Sequence, residues 1–416
     1  MLNKNNEREL AYVVIVDDVT PIKGYDRVEL AHVGGWTIVV GKGEFKKGDP
    51  AIYFEIDSKL PEVKPFTDME FLSKKHYKIK TQKMCKSISQ GLLMSTQNFG
   101  WNIGFDWNGD RKFILDEEDN RHYADDDSRF LTAKLGVTYA VAEDNKRKSN
   151  AKVDKYAKMA KRHGKLFSKQ PFRWLMKRSW GKKLLFVFFG KKKDNRGFPS
   201  WVIKTDEERI QNMPWILNNK EPFIVTEKID GTSTTFTLKR GNGLFDKDEF
   251  IVCSRNVAFD TPQRAKDACW YDTNVYLEMA EKYGIREKME QMLRMDFNDC
   301  NYITIQGETY GNGIQKRDYS MSNGEHNFMA FNLITSKNGR YGTLEMRDML
   351  EGYGIPCVPV INEAYILPDT VEELLDYVTG ESVIDGGMRE GFVFRSYDGK
   401  KSFKGVSNDY LLKYHQ

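Results

Sequence analysis

The chain has 416 residues and a formal net charge of +4, and its length suffices for two domains with separate cores. Hydrophobic residues make up 40% and aromatic residues 13%, a composition that excludes an intrinsically disordered protein. Its five cysteines show no CxxC pair and no His/Cys cluster at metal-ligand spacing, so neither a disulfide framework nor a zinc site is indicated. No segment resembles a signal peptide or is apolar for long enough to span a bilayer, and we expect a soluble, cytoplasmic protein without a membrane partner.

The first 140 or so residues predict a small β domain. Short β-branched segments alternate with Gly, Pro and Asp, as in AYVVIVDDV, RVELAHV, WTIVVG and AIYFEID. Several strands at this spacing are typical of a small barrel or sandwich. The segment GWTIVVGKG has the wrong spacing for a phosphate-binding loop, so it predicts a strand followed by a turn.

Positive charge is concentrated in the middle of the chain. Residues 146–193 contain 18 Lys and Arg and one acidic residue, Asp154, which leaves the rest of the chain acidic. The first part of this segment has weak helical periodicity, and the second part mixes aromatic and basic side chains. Contact with nucleic acid is one interpretation, because basic groups neutralise phosphates and aromatic rings stack on bases. An amphipathic membrane-surface segment and a solvated linker are the alternatives.

Strands and helices alternate after residue 200. Strands are predicted at 223–229, 234–238, 249–253, 302–307, 328–334 and 391–396. Helices are predicted at 274–293 and 370–378, and the second opens with Thr370 and Glu373 at capping-box spacing. We therefore expect a small β domain at 1–145, a basic connector at 146–200 and a second domain at 201–416.

Lys228 ends the apolar run in FIVTEKIDG. Strand alternation directs Lys228 and Asp230 to one face and Glu227 and Ile229 to the other, and Gly231 then permits a tight turn or a close ligand. Such a lysine is either a surface charge paired with Asp230, the commoner case, or a nucleophile. A nucleophilic lysine must be neutral when it attacks, which requires burial or a nearby cation to lower its pKa.

Six segments in order favour the nucleophile. They are KIDG at 228–231, CSRN at 253–256, QGETYG at 306–311, FMAFNL at 328–333, REGFVFRS at 389–396 and KSFKGVSNDYLLKY at 401–414. Together they resemble the motifs of the covalent nucleotidyltransferases, the superfamily of RNA ligases, ATP-dependent DNA ligases and mRNA-capping enzymes. The resemblance implies that the Lys228 amine attacks the α-phosphorus of ATP, releases pyrophosphate and retains AMP.

The resemblance also implies a role for each matched residue. The catalytic residues would be Lys228, Asp230, Glu390 and Lys404, with Lys404 on the α-phosphate. Asp230 and Glu390 would position a magnesium ion, or manganese in its place, and Glu308 would bind either the metal or the ribose hydroxyls. The ATP-binding residues would be Arg209, Glu227, Lys228, Ile229, Gly231, Arg255, Glu308, Phe331, Glu390 and Lys404. Phe331 rather than Phe328 would stack on adenine, and Arg209, in TDEERIQN, would serve the triphosphate or pyrophosphate.

The N-terminal region indicates which enzymes of this superfamily the chain resembles. Residues 9–62, together with SISQGLLM at 87–94, resemble the OB-type domain of the Deinococcus-type ATP-dependent RNA ligases. The implied fold class is α+β, with an OB-type β-barrel domain before an antiparallel-sheet, ATP-grasp-like nucleotidyltransferase domain. Such enzymes seal 3′-OH and 5′-phosphate ends at nicks in duplexes with RNA on the 3′-OH side. The expected partners are ATP and such a nicked duplex, and the expected state is a monomer.

Two positions depart from the family pattern. Val406 stands where many RNA ligases have a second lysine, so Lys401 or Lys413 substitutes or Lys404 suffices, and Ser233 stands where some relatives have asparagine. A DNA ligase or a GTP-using capping enzyme is the first rival, but few residues follow Lys404 and an OB domain has no room there. The second rival is a catalytically inactive OB-fold protein that binds nucleic acid, which the joint presence of the motifs disfavours.

Overall fold

The computed structural model describes residues 1–3, 5–100, 129–140, 198–204, 206–241, 247–259 and 273–414, three backbone strands between 102 and 123, and a few residues between 169 and 185. The chain forms two compact units, one of residues 1–138 and 201–416 and one of residues 139–200. In the described parts, no helix is long and apolar enough to cross a membrane. The predicted boundaries after residues 145 and 200 stay predictions.

The N-terminal region is built from short antiparallel strands. They are β1 (Ala11–Ile15), β2 (Asp18–Pro21), β3 (Val28–Val33), β4 (Trp36–Gly41), β5 (Pro50–Phe54), β6 (Ser58–Lys59), β7 (Gln82–Met84), β8 (Ser87–Ser89), β9 (Leu92–Ser95), β10 (Asn102–Asp106), β11 (Lys112–Glu117), β12 (Asn120–Tyr123) and β13 (Thr138–Tyr139). Sheets form in the orders β1-β5-β9, β2-β3-β4, β7-β8 and β10-β11-β12. The four segments predicted as strands are strands, and the GWTIVVGKG segment is strand β4 followed by a turn, as predicted.

Two apolar clusters lie within this N-terminal region. In one of them Trp36 stacks on Tyr53 with the ring centroids 6.2 Å apart, and Tyr12 meets Tyr53 edge-on at 5.5 Å. The other cluster packs Phe54 against Phe66 from a short 3-10 helix (Phe66–Asp68) that precedes helix α1 (Glu70–Lys74). A second 3-10 helix, Thr96–Phe99, follows β9. These aromatic rings lie at the centre of the two clusters, where large aromatic side chains contribute much of the apolar surface that folding buries.

The second unit contains a short helix, α2 (Phe172–Met176). The guanidinium of Arg178 lies 3.8 Å from the centre of the exposed Trp174 ring, which is within cation–π range. The predicted mixture of basic and aromatic side chains is therefore present at this point of the connector. The predicted helical periodicity around residues 153–165 falls outside the described residues.

Two antiparallel sheets form the framework of the C-terminal region. Their strands are β14 (Phe223–Lys228), β15 (Thr232–Lys239), β16 (Glu249–Ser254), β17 (Tyr302–Gly311), β18 (His326–Thr335), β19 (Gly339–Arg340), β20 (Val360–Tyr365), β21 (Gly391–Ser396) and β22 (Ser402–Val406). The four-stranded sheet has the order β20-β14-β21-β22, and the five-stranded sheet has the order β16-β15-β17-β18-β19. All six strands predicted after residue 200 are present.

Helices cover both sheets. They are α3 (Val275–Lys282), α4 (Ile285–Met295), α5 (Thr343–Gly352), α6 (Val371–Val378) and α7 (Asn408–Tyr414), with 3-10 helices at Ile210–Asn212 and Pro214–Asn218. Helices α3, α4 and α5 bury apolar residues against the five-stranded sheet, and α6 packs on the four-stranded sheet. The Thr370 hydroxyl accepts a hydrogen bond from the Glu373 N–H at 3.2 Å, which confirms the predicted cap of α6.

The single helix predicted at 274–293 is wrong. The chain forms two helices there, which are separated by Tyr283 and Gly284, because Gly284 adopts a left-handed conformation with φ of 56°. Glycine reaches this conformation at little cost, so it ends one helix and begins the next. Helices α5 and α7 and strands β20 and β22 were not among the predicted elements.

The N-terminal and C-terminal regions pack directly on each other. Ile88 of β8 forms a buried cluster with Val406, at the end of β22, and Leu411 of α7. The Lys83 ammonium donates to the backbone oxygen of Leu412 at 3.5 Å. Strand β8 is therefore seated beside the strand that carries Lys404.

Candidate active site

Lys228 lies at the end of a central, buried strand. Strand β14 has β20 on one side and β21 on the other, and residues 223–227 are all buried. After Lys228 the chain crosses from the four-stranded sheet to the five-stranded sheet within three residues, because β15 begins at Thr232. The strand therefore holds the lysine where the two sheets meet.

Gly231 allows this crossing. A Cβ atom at this position would lie 2.3 Å from the Thr309 backbone oxygen and 2.9 Å from Cγ of Glu308. Any other residue would thus push the crossing away from β17, the strand that carries Glu308. The glycine at this place is required by close backbone approach.

A small pocket opens in front of Lys228. Its volume is about 350 Å³, within the range of small-ligand pockets. The lining residues are Asp206, Glu207, Thr226, Glu227, Lys228, Ile229, Gly231, Thr232, Ser233, Arg255, Glu308, Gln315, Phe331, Val358, Val393, Arg395 and Lys404. Residues from six of the matched segments thus meet in one pocket, although they are separated by up to 176 positions in the chain.

The Lys228 ammonium is surrounded by carboxylates. It donates to Oε2 of Glu390 at 2.7 Å. Burial works to lower the pKa of Lys228, but the charges of Glu390, Glu308 and Asp230 outweigh burial and raise the pKa above its usual value. The amine is therefore protonated in the protein without ligand.

Burial has a large effect on the Glu308 carboxyl group. Burial raises the pKa of Glu308 to about 8, the Lys228 ammonium opposes the rise, and the carboxylates of Glu390 and Asp230 add to it. Glu308 therefore keeps its proton at neutral pH in the protein without ligand. A further cation bound beside Glu308 would favour loss of that proton.

Phe331 and Phe328 have different surroundings. Phe331 lines the pocket, whereas Phe328 is fully buried in the core and packs edge-on against Phe236 at 5.0 Å. The Arg395 guanidinium donates to the Phe331 backbone oxygen at 2.6 Å and to Glu207 at 3.0 Å. Phe331 is thus the ring available to a planar ligand in this pocket.

Two cations share one carboxylate at the pocket mouth. Asp206 accepts hydrogen bonds from Arg255 and, at 3.2 Å, from the Lys404 ammonium. Burial works to raise the pKa of Asp206, but Lys404 and Arg255 outweigh it and the pKa is lowered. Burial and the nearby Lys228 charge lower the pKa of Lys404. These two cations offer a place for an anion such as phosphate.

Arg209 is not among the residues that line the pocket, but it lies next to Lys404. The Lys404 N–H donates to the backbone oxygen of Glu208 at 2.7 Å, and Arg209 bridges in parallel to Lys404. The Arg209 guanidinium is buried 5.8 Å from the centre of the Trp36 ring, and burial lowers its pKa. One of its amino nitrogens has no hydrogen-bond partner among the described residues.

Asp230 and Glu227 already have hydrogen-bond partners. The Tyr410 hydroxyl donates to Oδ2 of Asp230 at 2.7 Å. The Glu227 carboxylate accepts from the Ser382 hydroxyl and from the Val383 N–H at 2.9 Å. Within the described ranges, no three His, Cys, Asp or Glu side chains are grouped as a metal site.

Several pocket residues were missed at the level of the sequence. Arg395 lies two positions after Val393 on β21, so strand alternation within REGFVFRS would have found it. Asp206 and Glu207 lie within the quoted TDEERIQN segment, of which only Arg209 was selected. Gln315 lies in an irregular segment, where no periodic signal exists.

Family models match both regions of the chain. The model of the RNA ligase family matches residues 221–415. The model of an OB-fold domain matches residues 10–96. None of the curated proteins compared with the chain matches it.

Solved structures of one protein resemble the whole chain. A variant of the Naegleria gruberi RNA ligase with ATP and manganese has a TM-score of 0.60 and 26% identity, over 98% of this chain and 99% of that chain. The same ligase with pyrophosphate gives a TM-score of 0.59 at 26% identity, over 98% and 99%. A variant with AMP and manganese gives 0.60 at 26%, over the same shares. The predicted fold class, an OB-fold domain before a sheet-rich domain, is confirmed.

Proposed function

The chain is an ATP-dependent RNA ligase with an N-terminal OB-fold domain, and from this premise we propose that it seals 3′-OH and 5′-phosphate ends through AMP bound to Lys228. AMP then passes to the 5′-phosphate, and the 3′-OH attacks this activated phosphate and releases AMP. We further propose that the substrate is a nick in a duplex with RNA on the 3′-OH side.

One observation carries the proposal. The Lys228 amine, the Glu308 carboxyl, the Phe331 ring and the Lys404 ammonium all face one pocket of about 350 Å³. A nucleotide needs an aromatic face for its base, hydrogen-bonding groups for its ribose and cations for its phosphates. The pocket offers each of these beside the proposed nucleophile.

The first step joins Lys228 to AMP. The amine gives up a proton and attacks the α-phosphorus of ATP, a phosphorus–nitrogen bond forms, and the bond from the α-phosphorus to the bridging oxygen breaks as pyrophosphate leaves. Glu390, at 2.7 Å, is placed to accept the proton. Lys404 and Arg255 leave Asp206 and bind phosphate oxygens, where they stabilise the charge that develops.

Carboxyl groups beside Lys228 offer oxygen ligands to a divalent cation. Glu390 and Glu308 both lie near the Lys228 ammonium, and burial keeps the pKa of Glu308 raised although the ammonium opposes the rise. Glu308 would bind magnesium or manganese, and Glu390 and Asp230, which are engaged by Lys228 and Tyr410, would act at a greater distance. When bound, the ion neutralises the carboxylates and so lowers the pKa of Lys228.

Lysines of the OB-fold domain support a nucleic-acid partner. Residues 71–100 contain six lysines and no Asp or Glu. Lys80, Lys83 and Lys86 are exposed, and Lys86 lies at the two-residue tip of the β7–β8 hairpin. Since β8 is seated beside the end of β22, the hairpin residues Lys83 and Lys86 lie close to the strand that carries Lys404, and Lys80 comes just before the hairpin.

Two assays test the proposed function. Incubation with ATP and magnesium should add one adenylyl group to the wild-type protein and none to Lys228→Ala, and GTP should not replace ATP. Sealing should then be measured on nicked duplexes in which RNA and DNA are exchanged separately on the 3′-OH and 5′-phosphate strands. Loss of sealing only when DNA replaces RNA on the 3′-OH side supports the proposed substrate, and indifference to that exchange contradicts it.

A further inference from the structure

Three side chains hold the turn that follows Lys228. The Asp230 N–H donates to the Tyr319 hydroxyl at 2.7 Å, and the Tyr410 hydroxyl donates to Oδ2 of Asp230 at 2.7 Å. The Gln315 amide donates to the Gly231 backbone oxygen at 2.9 Å. The turn is therefore fixed through its backbone and through the one carboxylate that it carries.

Tyr410 reaches this turn from the last helix. Its side chain is fully buried, and burial together with the Asp230 charge raises its pKa, so the phenol stays protonated and donates. The helix that carries Tyr410 follows β22 directly, and the N–H of Ser407 between them donates to the Glu390 backbone oxygen at 2.9 Å. One short segment thus supports Lys404, Glu390 and Asp230 together.

Tyr319 reaches the turn from the opposite side under local constraint. Tyr319 and Ser320 have φ values of 53° and 55°, a left-handed conformation that side chains rarely adopt. Arg317 stabilises this conformation, because its buried guanidinium lies 4.0 Å from the Tyr319 ring centre and pairs with Asp385. Costly backbone conformations that neighbours hold in place cluster at functional sites.

We propose that Tyr410 is a positioning residue that fixes the Lys228–Gly231 turn for attack on ATP, acting through Asp230 and opposite Tyr319. This inference rests on the proposed adenylylation of Lys228. Tyr410 does not line the pocket, so its hydroxyl acts on the geometry of the nucleophile and not on ATP affinity. It is dispensable once AMP has moved to the nucleic acid, because Lys228 is no longer the nucleophile.

The test separates adenylylation from the final sealing step in Tyr410→Phe. The rate of Lys228 adenylylation at saturating ATP should fall about tenfold, the scale of one hydrogen bond to a charged group. The ATP concentration for half-maximal rate and the sealing of a nick already carrying AMP on its 5′-phosphate should stay within about twofold. Tyr414→Phe, one helical turn further on, removes a hydroxyl from the same helix and is the matched control.

Each outcome decides the inference. Adenylylation at the wild-type rate in Tyr410→Phe overturns it, and so does an equal loss of adenylylation and of sealing at the adenylylated nick. If Tyr410→Phe does not fold, Tyr319→Phe, which removes the acceptor of the Asp230 N–H, carries the same test. If the wild-type protein takes no AMP on Lys228, the proposed function fails instead, so the two failures are distinguishable.

Discussion

The Lys228 ammonium lies 2.7 Å from Oε2 of Glu390, although the two residues are 162 positions apart in the chain. This pair keeps the proposed nucleophile protonated, because Glu390 and the neighbouring carboxylates outweigh burial in setting its pKa. A protonated amine does not attack phosphorus. In the protein without ligand, Lys228 is therefore protonated and unreactive. A metal ion bound with ATP would lower the pKa of Lys228 and allow the amine to lose its proton.

Glu390→Gln removes the strongest of the charges that raise the pKa of Lys228. We expect the adenylylation rate to fall about a hundredfold, since the proposed proton acceptor is lost. The pH dependence of the remaining activity should move to lower pH, because the amine loses its proton more readily. Single-turnover adenylylation from pH 6 to pH 10 measures both effects.

Glu372→Gln is the control for this variant, since Glu372 is an exposed carboxylate in the first turn of α6. It should leave both the rate and the pH profile unchanged. A pH profile of Glu390→Gln that does not move would show that Glu390 does not set the charge of Lys228.

Glu308 should make the stability of the protein without ligand depend on pH. Its pKa is raised from 4.5 to about 8 in the folded protein. The folded state therefore keeps a proton that the unfolded chain releases, and the stabilisation from this proton is present below pH 4.5 and is lost as pH rises to 8. The glutamine of Glu308→Gln does not titrate, so this variant does not lose that stabilisation. The melting temperature of the variant minus that of the wild type should therefore rise by about 2 °C or more from pH 5 to pH 8.

Thermal unfolding of both proteins across this pH range checks the prediction. Glu345→Gln, an exposed carboxylate in α5, is the control and should follow the wild type. A constant difference between Glu308→Gln and the wild type would mean that the Glu308 carboxyl titrates normally.

Gly231→Ala should abolish adenylylation and lower the melting temperature. The added Cβ would lie 2.3 Å from the Thr309 oxygen, so the crossing that positions Lys228 has to move. Overpacking of this kind costs typically 1–3 kcal/mol. Gly352→Ala, at the end of α5, adds a methyl group that meets nothing within 4 Å and should keep wild-type activity. Equal activity of the two variants would contradict the close approach.

Lys83 and Lys86 of the β7–β8 hairpin, together with Lys80 just before it, should contribute to binding of nucleic acid and not to adenylylation. Substitution of Lys80, Lys83 and Lys86 by alanine should weaken binding to a nicked duplex. The slope of log Kd plotted against the logarithm of the salt concentration should fall by about 3, since each phosphate contact contributes roughly 0.9. Lys228 adenylylation should stay at the wild-type rate, because ATP binds elsewhere.

Binding titrations at several salt concentrations measure this salt dependence. The matched control replaces three other exposed lysines of the OB-fold domain, Lys23, Lys42 and Lys47, by alanine. Equal losses in the two triple variants would mean that only the net charge matters and that the hairpin is not an interface.

The strands and the composition of the pocket were predictable because they rest on local patterns. A run of apolar, β-branched residues marks β14, and short motifs in a fixed order mark the residues that meet at Lys228. The break at Gly284 was missed because apolar periodicity continues on both sides of the glycine.

Contacts between distant side chains were not predictable. Tyr410 and Asp230 are 180 positions apart, and nothing in the periodicity of either segment pairs them. The same holds for Asp206, which holds Lys404 and Arg255, and for Trp36 of the OB-fold domain beside Arg209. Such contacts depend on how whole elements pack, which local sequence patterns do not encode.

The site of AMP attachment decides whether Lys228 is the nucleophile. The wild-type protein is incubated with ATP and magnesium and digested, and the peptides are analysed by mass spectrometry under alkaline conditions that preserve a phosphorus–nitrogen bond. We expect one adenylyl group, on the peptide that contains Lys228, and its loss when pyrophosphate is added and ATP is reformed. An adenylyl group on another residue, or ATP binding with no covalent product, would contradict the account.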